Sequence, residues 1–258
     1  MTTISERFDS VARAAALVAM LFAWTLCVMS VLSSVVPSNS RTSQLLRMTI
    51  QQVVAVGGMA AAVAWVRRHR PRRISNAPAW WWIGPALTVF AAFCLVPITN
   101  AWSTSILDLS PPDWWQQVVD LSSVWAAVTT LAVLAVVPPV CEECFFRGVL
   151  LDELQEVGGI GAVSLQAAAF ALYHLDLYGL PSYIALGFLF GWLRLRFGLR
   201  AAIGAHVVNN ALAVAWLDGW FTSVSSRMTP VFSICAAMLV AGIYASEMVV
   251  RKKRVGHR

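Results

Sequence analysis

Residues 131–150 read LAVLAVVPPVCEECFFRGVL. The run is apolar enough for a membrane, yet it holds two prolines, two glutamates and an arginine. A charged side chain at the centre of a bilayer costs roughly 2.5–3.5 kcal/mol on insertion scales, so such groups face protein rather than lipid and usually serve a function. Three further polar residues, His174, His206 and Asn210, lie in or beside equally apolar stretches downstream. A carboxylate, two imidazoles and a carboxamide are the parts needed to activate a water and hold an oxyanion.

Composition sets the class. The chain has 258 residues, 59% of them hydrophobic and only 12% charged, with a mean hydropathy of +0.69. Soluble domains carry about 25% charged residues. The length accommodates roughly seven or eight membrane helices of about 20 residues each and little else. The expectation is an all-α, polytopic transmembrane helical bundle forming one integrated membrane domain. Its spans are expected near residues 11–36, 49–66, 80–100, 121–149, 160–178, 181–197, 199–217 and 230–250. Very short turns join the fifth, sixth and seventh, which makes them antiparallel neighbours.

The formal charge of +6 is not a nucleic-acid signal, because the basic residues gather in short loops and in the tail. Arg67, Arg68, Arg70, Arg72 and Arg73 follow the second span, and Arg194, Arg196 and Arg200 surround the turn after the sixth. Arg251, Lys252, Lys253, Arg254 and Arg258 end the chain. The alternate loops hold Asp108 and Asp113, then Asp176, then Asp218 and Arg227. The positive-inside bias therefore places both termini in the cytoplasm. Arg41 and Arg47 are the exception, in a stretch read as an outer loop. The first apolar stretch, from Val11 to Val36, is too long for a cleaved signal and reads as an anchor.

Several local patterns have plain readings. Cys27, Cys94, Cys141, Cys144 and Cys235 are odd in number and sit in apolar segments, so buried thiols are expected rather than a disulfide framework. Cys141-Glu-Glu-Cys144 has no second pair to make a zinc site. Trp80, Trp81, Trp82, Trp114, Trp115, Trp216 and Trp220 stand at span ends, as interfacial belt residues do. Thr229-Pro230 reads as the start of the last helix. Gly187 and Gly191 form a small-residue face for close helix packing. The glycines at 158, 159 and 161 lack the lysine and the preceding strand of a phosphate loop.

The candidate chemistry lies in three segments. In the first, Glu143 and Arg147 are four apart with the acid on the N-terminal side, the favourable polarity for an ion pair. Glu142 points about 100° away, without such a partner and among apolar neighbours, which suits a general base. Pro138-Pro139 just upstream bends the helix and frees carbonyls that other groups must satisfy. In the second, Phe170 and His174 share a face. In the third, His206 and Asn210 lie one turn apart and can both donate hydrogen bonds to an oxyanion. Asn209 is turned away toward a neighbouring helix. His69 and His257 belong to basic, solvated segments.

Taken in order, Glu142-Glu143 with Arg147, Phe170 with His174, and His206 with Asn210 resemble the EExxxR, FxxxH and HxxxN motifs of the CAAX-protease and bacteriocin-processing (CPBP, or Abi) family. That family includes the Ras-converting CAAX endopeptidase. The resemblance spans about 70 residues and leaves the first four spans mostly unaddressed. It implies a variable N-terminal region at 1–118, a catalytic core at 119–220, and a last span with a basic tail at 221–258. It implies an intramembrane endopeptidase in which Glu142 and His174 activate water and His206 and Asn210 hold the oxyanion. Glu143, Arg147 and Phe170 would support them. Members are described both as metalloproteases and as metal-independent glutamate proteases. The expectation here is no obligate cofactor; if a divalent metal such as zinc binds, its ligands would be Glu142, His174 and His206.

One conflict stands in this reading. Glu142 falls near the cytoplasmic end of its span, whereas His174 falls toward the outer end of the next. Either the fourth span continues as helix through Glu156, or the fifth begins later and is interrupted near Asp176–Pro181. The cavity is expected to open toward the cytoplasm, because His206 follows Arg200 closely. The expected partners are membrane lipid and a membrane-associated peptide or protein substrate, with a homo-oligomer possible and no nucleic acid. The expected location is the plasma (inner) membrane of a prokaryote. Two other readings compete: a non-catalytic scaffold, immunity or regulatory protein of the same fold, and a proton-coupled transporter. The latter would show internal repeats, and the sequence has none.

Overall fold

The computed structural model of the chain describes residues 3–66, 95, 98–113 and 115–218. Among them the regular elements are all helical. They are α1 (Ile4–Val35), α2 (Arg41–Val66), α3 (Val124–Val157), α4 (Gly159–Tyr173), α5 (Leu180–Phe197) and α6 (Leu199–Leu217). Helical residues 98–107 and a single turn at Trp115–Val118 lie between α2 and α3. α1, α2 and α3 are each long and apolar enough to cross a membrane, and the chain is an integral membrane protein. The span expected near 230–250 lies outside the described residues, as does most of that near 80–100. So do the basic loop at 67–73, the basic tail, Trp80, Trp81, Trp82, Trp114, Trp220, Cys94, Cys235, His69, His257 and Thr229-Pro230.

Local chemistry sets the helix limits. Thr3 and Glu6 form a reciprocal capping box at the start of α1, with the Thr3 N–H donating to Glu6 at 2.6 Å and the Glu6 N–H donating to Thr3 at 3.2 Å. Ser40 caps α2 and Ser123 caps α3 by accepting the N–H three residues on. Gly158 and Gly198 both have φ near 90°, a conformation that only glycine adopts freely. They allow α3 to pass into α4 and α5 into α6 with no loop between.

Three boundaries differ from the sequence reading. The outer loop expected at Arg41–Arg47 is the first two turns of α2. Its polar residues hid it from hydropathy, but Arg41 is held by the Val118 carbonyl at 3.1 Å and by the Thr130 hydroxyl at 2.5 Å. α3 does not end near 149; it continues to Val157, which puts Glu142 near its middle. α4 stops at Tyr173 instead of 178, because His174 caps it and Leu175 turns to φ 50°. The extended fourth helix, the first of the two alternatives, is therefore what brings Glu142 to the depth of His174.

α3 is the axis of the bundle. Its Phe145, Phe146, Val149, Leu150, Leu151 and Leu154 pack in one cluster with Leu17 and Leu21 of α1, Val56 of α2 and Val163 and Phe170 of α4. At one end of the bundle Arg13 of α1 pairs with Glu153, and Ser10 donates to the Glu153 carbonyl. Arg194 of α5 reaches Asp152 at 3.4 Å. The N-terminus, the α3–α4 turn and the α5–α6 turn thus share the end that bears Arg13 and Arg194.

The glycine face of α5 packs inside the chain. A Cβ on Gly187 would lie 3.0 Å from the Ala167 Cα, and one on Gly191 would lie 2.8 Å from the Gln166 side-chain oxygen. Gly187→Leu is therefore expected to destabilise the bundle by about 1–3 kcal/mol through overpacking. Gly204→Ala on α6, whose Cβ would meet nothing within 4 Å, should be neutral or gain up to about 1 kcal/mol. Thermal unfolding in detergent checks both, and a Gly187→Leu protein melting with the wild type would overturn the close contact.

Candidate active site

The site is built where α3 departs from ideal geometry. Wide π-helical segments at Leu131–Val136 and Cys144–Leu150 flank the turn that carries Pro138, Pro139, Glu142 and Glu143. Such segments recur at functional sites because they re-aim side chains that an α-helix would spread. The Leu134 carbonyl needs a donor from residue 138 in α register or residue 139 in π register, and both are proline. Asn210 of α6 supplies it, its Nδ2 donating to the Leu134 carbonyl at 3.2 Å. Asn209 is buried and donates to the Asn210 side-chain oxygen at 3.3 Å; it braces Asn210 rather than a neighbouring helix. One amide proton of Asn210 thus repairs the proline break, and the second remains for other use.

Both glutamates are buried: Glu142 is 4% exposed and Glu143 fully enclosed, as is Arg147. Glu143 Oε1 meets Arg147 Nη1 at 2.8 Å. Arg147 also donates through Nη2 to the Gly187 carbonyl at 3.2 Å and lies 4.2 Å over the centre of the Phe170 ring. Phe170 is thus a cation–π platform for the buried charge. The same Glu143 oxygen accepts from His206 Nδ1 at 2.8 Å, a contact the spacing alone did not reveal. Because the acceptor is a carboxylate, Nδ1 carries a proton, and Nε2 is turned to Glu142 Oε2 at 3.8 Å. Phe190 stacks on the His206 ring at 4.7 Å and fixes its plane.

His174 is held with equal economy. Its Nδ1 donates to the Phe170 carbonyl at 2.8 Å, leaving Nε2 free. Tyr183 of α5 stacks on it at 4.0 Å, and the Tyr183 hydroxyl donates to Asp176 at 3.2 Å. The Phe170 ring lies 4.6 Å from His174 and 5.8 Å from His206, edge-on to both.

The structure therefore sets His174 and His206 against Phe170, brings Glu142 to His206, places Asn210 one turn beyond His206, and joins Glu143 and Arg147 to His206 and Phe170. It adds groups the motifs did not name: Tyr183 and Phe190 as ring supports, and Gln52 of α2, whose Nε2 donates to Glu142 Oε1 at 3.2 Å. Among the described residues no three His, Cys, Asp or Glu side chains are gathered closely enough to hold a metal ion. With both Nδ1 atoms donating to oxygen acceptors, Nε2 is the nitrogen that each ring would offer to a metal, the orientation usual for ligating histidines. Cys141 and Cys144 are free thiols, and Cys141 packs against Gly57. A groove of about 500 Å³ runs between α2 and α3 along Arg41, Leu45, Thr49, Trp125, Thr129 and Val133, and contains none of the site residues.

A family model described as Rce1-like, type II CAAX prenyl endopeptidase Rce1-like, matches residues 124–212. No curated protein and no solved structure matches the chain. The matched segment begins at the first residue of α3 and ends in α6, taking in Glu142, His174, His206 and Asn210 and leaving out α1 and α2. Residues 124–212 are thus similar to the Rce1-like type II CAAX prenyl endopeptidase family, consistent with an intramembrane protease of the CPBP family.

Proposed function

We propose that this chain is an intramembrane endopeptidase that cleaves a membrane-associated peptide or protein with a water activated by Glu142. The observation that carries the reading is the meeting of Glu142 of α3 with His206 of α6 at 3.8 Å, His206 being oriented by Glu143 at 2.8 Å and sharing the Phe170 ring with His174. A carboxylate held inside the bundle, near an imidazole and paired with no arginine among the described residues, suits the taking of a proton from water. The hydroxide oxygen bonds to the scissile carbonyl carbon, and the carbonyl electron pair moves onto oxygen. In this reading the oxyanion is held by His206 Nε2, when it carries a proton, and by the second amide proton of Asn210. Collapse breaks the C–N bond, and Glu142 returns the proton to the leaving amine. His174, with Nδ1–H spent on the Phe170 carbonyl, offers its Nε2 as an acceptor to the same water. When His206 carries both protons, two carboxylates, one guanidinium and one imidazolium make a buried cluster of zero net charge.

In this reading the protein groups activate water without an obligate metal. The expected substrate is lipid-embedded, and the expected location is the plasma membrane of a prokaryote.

Glu142→Gln should lower the cleavage rate by about 10²–10⁴-fold, the span of general base effects, with insertion and melting temperature unchanged. His206→Ala should lose about 10²–10³-fold, as when an oxyanion donor is removed. Wild-type rates in both variants, measured on purified protein in proteoliposomes, would leave a non-catalytic membrane scaffold as the better account.

Glu143→Ala should behave differently. It strands the enclosed Arg147 charge and should cost about 3–5 kcal/mol of stability, seen as a lower melting temperature that Glu142→Ala does not share. Chelation with EDTA or phenanthroline should leave cleavage intact; loss of activity restored by zinc would contradict the metal-free scheme.

A further inference from the structure

In sequence Asp176 is one acidic residue of a short loop. In the structure its half-buried carboxylate is divided between two tasks. Oδ1 accepts the Tyr178 N–H at 3.0 Å, which shapes the turn from α4 into α5. Oδ2 accepts the Tyr183 hydroxyl at 3.2 Å, and the Tyr183 ring lies against His174 with centroids 4.0 Å apart and planes inclined by 21°.

The turn is built to keep that arrangement. Leu175 takes φ 50°, which redirects the chain directly after His174. Gly179 leaves the space that Tyr183 fills: a Cβ there would lie 2.7 Å from Asp176 Oδ2 and collide with the Tyr183 ring. The buried Ser103 hydroxyl donates to the Tyr178 carbonyl at 2.7 Å, and Ser182 donates to Asn100 at 3.0 Å, so helical residues 98–107 brace the turn.

His174 depends on this support. It caps α4, and its ring is held by the bond from Nδ1 to the Phe170 carbonyl at 2.8 Å. One hydrogen bond leaves an imidazole free to swing about the bonded atom and carry Nε2 through an arc. The Phe170 edge and the parallel Tyr183 face restrict that arc. Phe170 belongs to the helix that His174 caps; Tyr183 comes from α5 and is tied at its far end by Asp176.

We propose that Asp176 is a positioning residue for the hydrolysis: by holding the Tyr183 hydroxyl it fixes the stacked ring, and so the direction in which His174 Nε2 meets the attacking water. This rests on the endopeptidase reading. No proton passes along the three side chains, because the His174 Nδ1–H is spent on the Phe170 carbonyl and the phenol meets the imidazole by its face. The contribution is geometric, and a misplacement of about 1 Å in a reacting group costs up to about 100-fold in rate.

The test uses the full chain in proteoliposomes with the near-isosteric variants Asp176→Asn and Tyr183→Phe. The probe is a farnesylated, internally quenched C-terminal peptide. Asp176→Asn keeps an oxygen for the Tyr178 N–H and turns an amide toward the phenol. Each variant is expected to lower kcat about 10-fold with KM within about twofold. The double variant should lose no more than either alone, because both cut the same bond. Tyr183→Leu, which removes the ring itself, should lose about 100-fold. The ring current of Tyr183 also shifts the His174 ring protons in the NMR spectrum, whatever the substrate. Those signals, assigned by difference against His174→Ala, should move in both single variants and no further in the double one. Wild-type kcat in Asp176→Asn and Tyr183→Phe beside an inactive Glu142→Gln overturns the role of Asp176 and leaves the endopeptidase reading intact. Additive losses in the double variant overturn it as well, since Asp176 would then act apart from Tyr183. A Glu142→Gln protein as active as wild type, or a wild type that leaves the peptide whole, removes the endopeptidase reading and the catalytic role of Asp176 with it, while the ring signals still decide whether Asp176 sets the imidazole through Tyr183.

Discussion

The pairing of Arg147 with Glu143 inside α3 is the constraint on which the rest depends. Neither group touches solvent, and an isolated charge in such a place would be prohibitive. Each polar neighbour is accounted for by that pair. Gly187 turns its carbonyl to the guanidinium, Phe170 lies beneath it, and His206 shares the carboxylate oxygen. The close approach of α5 to α4 at Gly187 is thus also what brings an acceptor within reach of Arg147. The ion pair contributes less by its own attraction than by dictating where four helices can sit, since desolvation offsets much of the Coulomb gain.

Around that pair the chain tolerates a damaged helix. Pro138 and Pro139 deprive Leu134 of a main-chain donor in either helical register, and Asn210 supplies one from α6. The repair couples α6 to α3 at one point while Glu143 and His206 couple them at another. With two fixed points the rotation of α6 about α3 is set, and so is the distance from His206 to Glu142. Asn210 therefore has a structural duty that its place in a catalytic motif conceals.

The sequence shows the class and the chemistry well because both rest on composition and short spacings. Hydropathy reveals membrane helices, and the i,i+4 rule reveals Glu143 with Arg147 and His206 with Asn210. It fails where the decisive partner is distant in the chain. Arg41 and Arg47 look like a loop because their polarity is visible and their contacts with Val118 and Thr130 are not. The length of α3 is obscured by Asp152 and Glu153, whose charges are matched by Arg194 and Arg13 from other helices. Gln52 carries no signal at all: a lone glutamine in an apolar helix becomes informative only once Glu142 is seen beside it. The pair Pro138-Pro139 did announce a broken helix, but not the residue that mends it.

α4 has 15 residues, about 22 Å of helix at 1.5 Å per residue, against a hydrocarbon core of about 30 Å. Ile160, Leu165 and Leu172 of this helix are exposed, as side chains in contact with lipid would be. Lipid beside a segment this short relieves the mismatch by thinning. His174 caps the truncated end, so thinning there would bring the headgroup region toward the imidazole. If the proposed hydrolysis takes place, such a dimple in the bilayer is a route by which the site would be wetted.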